Sequence, residues 1–162
     1  MNEAYFLEAA QGFLELTMPK EALKELERLS AEHQEDLEVL TLKTNAHMRL
    51  KQWKKGLVYG NRGCELYPHD PRNFIQSAFC LHELKKTEEA KQRLLGGPPG
   101  IKSIPEFYYN LACYEVALGE LDNAKRHLSR AFRMEDRGEY LRKAAREDED
   151  LKVLWNDLAE LE

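Results

Sequence analysis

The stretch Tyr108–Phe132, YYNLACYEVALGELDNAKRHLSRAF, contains two amphipathic helical patterns separated by a single glycine. The first pattern places four residues on one helical face: Tyr108, Leu111, Ala112 and Leu118. Gly119 interrupts it, and a second face then follows with Leu121, Ala124, Leu128, Ala131 and Phe132. The stretch predicts a helical hairpin, in which the small Ala112 and Ala124 allow the two helix axes to approach closely.

This pattern recurs every 34 residues along the chain. Small residues recur at one position, as Ala22, Gly56, Ala90 and Ala124, and at a second, as Ala10, Thr44, Ala78 and Ala112. Two more positions are mostly large and apolar: Phe6, Leu40, Phe74 and Tyr108, then Leu26, Gly60, Leu94 and Leu128. Pro71 and Pro105 are also 34 residues apart. Because one hairpin cannot bury both of its apolar faces, four stacked hairpins are predicted.

We therefore predict one all-α domain over residues 1–162, made of four repeats at about 3–36, 37–70, 71–104 and 105–137. The predicted helices are 3–16, 19–32, 36–50, 53–67, 71–85, 87–95, 104–118 and 121–135. The run Gly96-Gly97-Pro98-Pro99-Gly100 shortens the second helix of the third hairpin. A plain connector is the favoured interpretation of this run, and a hinge or partner-contacting loop is the alternative.

Residues 138–162 leave the repeat and form a predicted C-terminal cap. One helical face of this tail carries Leu151, Leu154, Trp155, Leu158 and Leu161. The preceding run Glu147-Asp148-Glu149-Asp150 suits the N-terminus of a helix, because its negative charges complement the helix dipole. A solenoid needs such an element to cover its last hairpin. The alternative is that the apolar face packs against a partner helix.

Composition excludes several classes of protein. The 162 residues carry 24 basic and 29 acidic side chains, a net charge of −5, which argues against non-specific nucleic-acid binding. Only 11 residues are β-branched against 25 leucines, which disfavours a sheet. The N-terminus lacks a signal-peptide pattern, and no apolar run reaches membrane-spanning length. We expect a cytoplasmic protein that binds neither membranes nor nucleic acid.

The sequence offers little chemistry. Cys64, Cys80 and Cys113 are odd in number and widely spaced, so buried free thiols are expected. The five histidines are dispersed, and no metal-binding or nucleophile motif occurs. The segment Gly60–Gly63 resembles a nucleotide-clamping GxxG loop, but its glycines recur at helical spacing with Gly56, which favours close helix packing. We expect no catalytic activity, no cofactor and no metal.

The 34-residue period with its large and small positions resembles the tetratricopeptide repeat (TPR) family over about residues 3–136. The nearest match is the fourth repeat, with Asn110-Leu111-Ala112. The second repeat departs from the family pattern at Lys43, His47 and Gly56. The ending Asp148-x-Asp150-Leu151-x-x-Leu154-Trp155 resembles that of small stand-alone bacterial TPR proteins. The resemblance implies a right-handed α-solenoid.

In that family the first helix of each hairpin lines a concave groove that holds a segment of another protein. The resemblance implies these groove residues: Leu7, Leu14, Asn45, Met48, Arg49, Arg72, Ile75, Phe79, His82, Tyr109 and Val116. Arg49, Arg72 and His82 could accept one acidic group of the ligand. Co-chaperones of the family grip a terminal carboxylate with Lys and Asn, and only Asn45 matches that set here, so chaperone-tail capture is not expected.

The expected function is a non-catalytic module that binds a peptide or helical segment of a partner protein in this groove. Apolar anchors with a polar rim suit such a segment. One alternative is self-assembly, with Trp155 and its neighbours or an exposed first hairpin pairing two copies. Another is a chaperone that shields a secreted client. An enzyme would instead require a metal or cofactor to co-purify.

Overall fold

The computed structural model describes residues 2–135 and 137–162, and within them the chain forms nine α-helices and no strand. The helices are α1 (Glu3–Glu15), α2 (Pro19–Glu27), α3 (Leu37–Arg49), α4 (Trp53–Leu66), α5 (Arg72–Glu83), α6 (Thr87–Leu95), α7 (Pro105–Ala117), α8 (Leu121–Phe132) and α9 (Gly138–Ala145). The 3₁₀ segments Ala31–His33 and Pro99–Ser103 lie between helices, and a third, Glu149–Leu161, follows α9. Met1 and Asp136, both inside the predicted domain, lie outside the described residues.

Successive helices pair as four hairpins, α1 with α2, α3 with α4, α5 with α6 and α7 with α8. Each hairpin stacks on the next, because its second helix contacts the first helix of the following hairpin. The first helices α1, α3, α5 and α7 also contact one another in series. The prediction of an all-α solenoid of helical hairpins is confirmed.

The turn inside each hairpin repeats with the same backbone geometry. Thr17, Lys51, Lys85 and Gly119, which are 34 residues apart, all have a positive φ, between 55° and 84°. The residue after each of them donates its N–H to a carbonyl five residues earlier, at 2.7–2.9 Å, which closes the C-terminus of the first helix. The 34-residue period is therefore a period of backbone conformation as well as of side-chain size.

The left-handed residue is glycine in only one of the four hairpin turns, and this difference leads to a prediction. A residue with a Cβ pays roughly 1–2 kcal/mol in this region, and a β-branched residue is especially unfavourable there. We expect Thr17→Gly to raise the free energy of unfolding by about 1 kcal/mol and Gly119→Ala to lower it by about 1 kcal/mol. Urea denaturation measures both. Changes of the same sign at the two positions would contradict the assignment of a shared turn.

The apolar core is divided where the second hairpin meets the third. One cluster joins α1, α2 and α3, and a larger one runs from α5 through the C-terminal tail. Between them α4 presents glycines to α5, so that Gly56 faces Cys80, Gly60 faces Ser77 and Gly63 faces Asn73. The predicted close helix packing of these glycines is confirmed, and the GxxG segment lies inside a helix.

Most predicted helix ends lie within two residues of the observed ones, and the largest differences are at α8, which ends at Phe132 rather than residue 135, and at α2. Helix α2 ends at Glu27 rather than residue 32, because the Gln34 amide donates to the carbonyls of Leu26 and Leu29, at 3.0 and 2.7 Å. The tail, predicted as a helical cap, contains helix α9 and then a 3₁₀ segment. All five apolar residues of the predicted tail face pack with the main core cluster. Their i, i+3 spacing suits either helix type, so the sequence could not distinguish them.

The connector after α6 also joins the core. Helix α6 ends at Leu95 as predicted, and the following 3₁₀ segment places Ile101 in the main core cluster. A Cβ on Gly97 would lie 2.7 Å from the Ile101 Cδ1 atom, so the glycine allows this side chain to pack inward. The connector interpretation is thereby favoured over a hinge.

Candidate interaction groove

The inner face of the solenoid is formed by α1, α3, α5 and α7, and polar contacts tie its helices together. Glu38 on α3 accepts hydrogen bonds from Gln11 of α1, at 3.2 Å, and from Arg72 of α5, at 2.9 Å. The Arg49 guanidinium donates to the Leu14 carbonyl at 3.0 Å. These contacts link three successive hairpins, so the inner face is a pre-organised surface.

Several apolar side chains along this face are partly exposed. Leu7, Met48, Ile75 and Phe79 are each half-buried, and they come from three different helices. Ile75 and Val116 also pack against the main core, so only part of each side chain faces outward. Leu14 is 4 % exposed and belongs to the N-terminal core, so its side chain does not line the surface.

The three basic residues predicted to receive an acidic ligand group each have partners within the chain. Arg72 pairs with Asp70 and Glu38, at 3.1 and 2.9 Å. Arg49 donates to the Asn45 side chain at 2.8 Å as well as to the carbonyl on α1. His82 Nε2 donates to Asp150 Oδ2 of the tail at 2.9 Å. An acidic ligand would have to compete with these contacts.

The C-terminal tail covers the end of the inner face. Asp148 Oδ2 accepts a hydrogen bond from the buried Tyr109 hydroxyl at 2.7 Å, and the Trp155 indole N–H donates to the Asp148 carbonyl at 3.2 Å. Burial, reinforced by the Asp148 carboxylate, raises the pKa of the Tyr109 phenol. The hydrogen bond from His82 holds the pKa of Asp150 below its usual value. The tail therefore covers the predicted groove beside α7 and beside the C-terminal end of α5.

Sequence reasoning missed the role of Asp148 and Asp150. It treated them as charges that favour the start of a helix, and Asp148 does accept from the backbone N–H of Asp150 at 3.0 Å. Their contacts with Tyr109 and His82 span 39 and 68 residues of sequence. Only the position of this Asp-x-Asp pair, directly before the apolar tail face, could have drawn attention to them.

The cysteines show no sign of reactivity. Among the described residues all three are free thiols, with Cys80 and Cys113 buried and Cys64 half-buried. Burial raises the pKa of Cys80 to about 11 and raises that of Cys113 well above its usual value. The thiolate, which is the nucleophile, is therefore scarce at neutral pH.

No helix among the described residues is long and apolar enough to cross a membrane.

The stacked hairpins were compared with known proteins. No family model and no curated protein matches the sequence. Among solved structures, TTC0263, a thermophilic TPR protein of Thermus thermophilus, aligns with a TM-score of 0.74 and 17% identity over 98% of this chain and 82% of its own. The ArsTM double mutant of MamA RS-1 aligns with a TM-score of 0.72 and 17% identity over 98% of this chain and 93% of its own. Stacked hairpins, a 34-residue period of turns and these structural matches together show that the chain has the TPR fold.

Proposed function

We propose that this protein is a non-catalytic interaction module that binds a peptide or helical segment of a partner protein on its inner face. The observation that carries the proposal is the set of partly exposed apolar side chains Leu7, Met48, Ile75 and Phe79 on three helices that polar contacts tie together. Buried apolar anchors surrounded by polar groups supply most of the affinity of protein interfaces. A rigid surface loses little conformational freedom on binding, so a few anchors suffice.

The charge pattern refines the proposed ligand. Glu38 borders the apolar row together with Arg49 and Arg72, so both signs of charge lie beside it. A segment with apolar anchors and mixed charges complements this surface better than a uniformly acidic one.

Three cysteines without a disulfide among the described residues support a reducing compartment, in line with a cytoplasmic location.

The proposal predicts that partner binding depends on the inner face. Combining Phe79→Ala with Arg72→Glu removes one anchor and reverses one rim charge, and we expect at least about a ten-fold loss of affinity. The measurement is a pull-down with quantified partners, followed by titration of the recovered partner. Circular dichroism verifies that both proteins retain their helical content.

A matched control makes the same chemical changes on the outer surface. Val58 and Lys54 are exposed on α4, a second helix of a hairpin, so Val58→Ala with Lys54→Glu should leave partner binding intact. If the inner-face variant binds its partners as strongly as the wild type, the groove assignment is wrong. If only the outer-surface variant loses binding, the partner uses α4 instead.

A further inference from the structure

A cluster of metal-ligating side chains lies where the tail meets α5. His82, Glu83 and Asp150 each offer one ligand atom, and these atoms all lie within 4.8 Å of one another. Two of the residues are neighbours on α5, and the third belongs to the start of the C-terminal 3₁₀ segment. The fold thus brings together three potential ligands, the last of which lies 68 residues from His82 in sequence.

The histidine of this cluster is held in a ligating orientation. Its side chain is only 10% exposed, and its ring packs on the Tyr114 ring with 4.8 Å between centroids. Nδ1 is hydrogen-bonded to the Thr87 hydroxyl at 3.0 Å, so Nε2 is the nitrogen that faces Asp150. Metal-binding histidines have this arrangement, in which a hydrogen bond to the second ring nitrogen orients the ring and sets the tautomer.

The surroundings favour a cation. The cluster borders a cavity of about 190 Å³ whose described lining includes the carboxylates of Glu83, Asp148, Glu149 and Asp150 but no lysine or arginine. Negative charges concentrated in a partly enclosed cavity raise the local concentration of cations. Glu83 and Asp148 are only partly exposed, so solvent screens them less than it screens the exposed Glu149 and Asp150.

A second, independent feature of the cavity is an unsatisfied polar group. Tyr114 lines the same cavity and is 1 % exposed, and its hydroxyl has no hydrogen-bond partner among the described residues. A buried hydroxyl without a partner is uncommon and indicates a missing polar group, such as water on a bound ion.

We propose that His82, Glu83 and Asp150 bind a divalent transition-metal ion, with Zn²⁺ the best fit. One imidazole nitrogen and two carboxylate oxygens are ligands that zinc accepts, whereas Ca²⁺ and Mg²⁺ prefer oxygen alone. Zinc bonds of ~2.0–2.1 Å in tetrahedral geometry place ligand atoms about 3.4 Å apart. His82 Nε2 and Asp150 Oδ2 are 2.9 Å apart, so they must separate by about 0.5 Å to admit the ion, and the Glu83 ligand atom lies within 4.8 Å of both.

Binding changes the hydrogen bonds of His82 in a defined way. On binding, the ring proton moves by exchange with water from Nε2, where it is shared with Asp150, to Nδ1. Nε2 is then free to bind the metal, and the Nδ1–H donates to the Thr87 hydroxyl. The fourth coordination position holds a water molecule, which supplies a partner for the Tyr114 hydroxyl. The ion thereby joins α5 to the tail and stabilises the closed end of the groove.

Calorimetric titration of the metal-free full chain with Zn²⁺ tests this inference. We expect one site per chain in the wild type, and at least a ten-fold weaker site in Glu83→Gln and in Asp150→Asn. His82→Asn should abolish the site. His33→Asn is the matched control, because His33 pairs with Asp36 and Glu32 on the surface but belongs to no such three-ligand group among the described residues. This control should bind Zn²⁺ as the wild type does.

Nitrogen NMR of the histidine rings gives a readout that a purely structural role would not move. On adding Zn²⁺, the Nε2 signal of His82 should shift while the signals of His33 stay in place. Unchanged affinity in Glu83→Gln and Asp150→Asn, loss of the site in His33→Asn, or equally tight binding of Ca²⁺ would overturn the proposal. If His82→Asn fails to fold, the Zn²⁺ affinities of Glu83→Gln and Asp150→Asn still test the proposed site. None of these measurements requires a protein partner. The metal site can therefore be disproved without disproving the proposed groove, and the groove without the metal site.

Discussion

Replacing Lys91 with methionine is expected to lower the free energy of unfolding by about 3–5 kcal/mol. The Lys91 ammonium lies 3.2 Å from the carboxylate of Glu115, which is 3 % exposed inside α7. Methionine keeps most of the length of the side chain but leaves the buried carboxylate without its cation. An unpaired buried charge is costly because the protein interior solvates it poorly. Urea denaturation followed by circular dichroism measures the loss.

Two comparisons isolate the cause of that loss. The residues equivalent to Glu115 in the first and third repeats are Phe13 and the buried Leu81, so the position accepts an apolar side chain. Lys91→Met combined with Glu115→Leu should therefore recover most of the lost stability. Lys143→Met removes a surface pair in which the lysine side chain is 72% exposed, and it should change stability by less than about 0.5 kcal/mol. If the double variant is no more stable than Lys91→Met alone, the buried charge is not the cause.

Gly63→Ala is expected to lower the free energy of unfolding by about 2 kcal/mol, although alanine is the better helix former. A Cβ at Gly63 would lie 2.2 Å from the Cγ atom of Asn73, which is completely buried on α5. The steric overlap must push α4 and α5 apart or force the Asn73 side chain out of position. Thermal unfolding and urea denaturation report the change.

The chain contains both a rescue and a control for this prediction. Asn73→Ala removes the side chain that collides, and the Asn73 Oδ1 atom has no hydrogen-bond partner among the described residues. The double variant Gly63→Ala/Asn73→Ala should therefore be more stable than Gly63→Ala. A Cβ at Gly12 in α1 meets nothing within 4 Å, so Gly12→Ala should stabilise the protein by about 0.5–1 kcal/mol. Destabilisation at both glycines would contradict the close-contact explanation.

Helix positions and the repeat could be predicted from the sequence because they depend on local spacing. The small residues Ala10, Ala22 and Ala124 are fully buried where hairpin helices meet, as their recurrence every 34 residues indicated. The end of α2 could not be predicted, since it depends on a hydrogen bond from Gln34 that becomes available only after the chain has turned back.

The groove likewise has features that the sequence predicted and features that only the folded structure shows. Its location on the first helices follows from the resemblance to the TPR family, and Phe79, Met48 and Ile75 are half-buried on that face. Leu14 is buried in the core formed by the first three helices. The tail holds Tyr109 and His82 through contacts that span 39 and 68 residues, so the folded structure decides which side chains remain available. No local pattern encodes those contacts.

The sequence by itself determined the fold of this protein, since a hairpin that cannot bury its own apolar faces must stack on its neighbours wherever the pattern recurs. Only the tertiary structure decided where the tail lies, and with it the extent of the open groove and the meeting of His82, Glu83 and Asp150. The physical reason is that periodicity specifies which face of an element is buried. Hydrogen bonds between distant elements specify which polar groups meet, and they depend on the folded geometry as a whole.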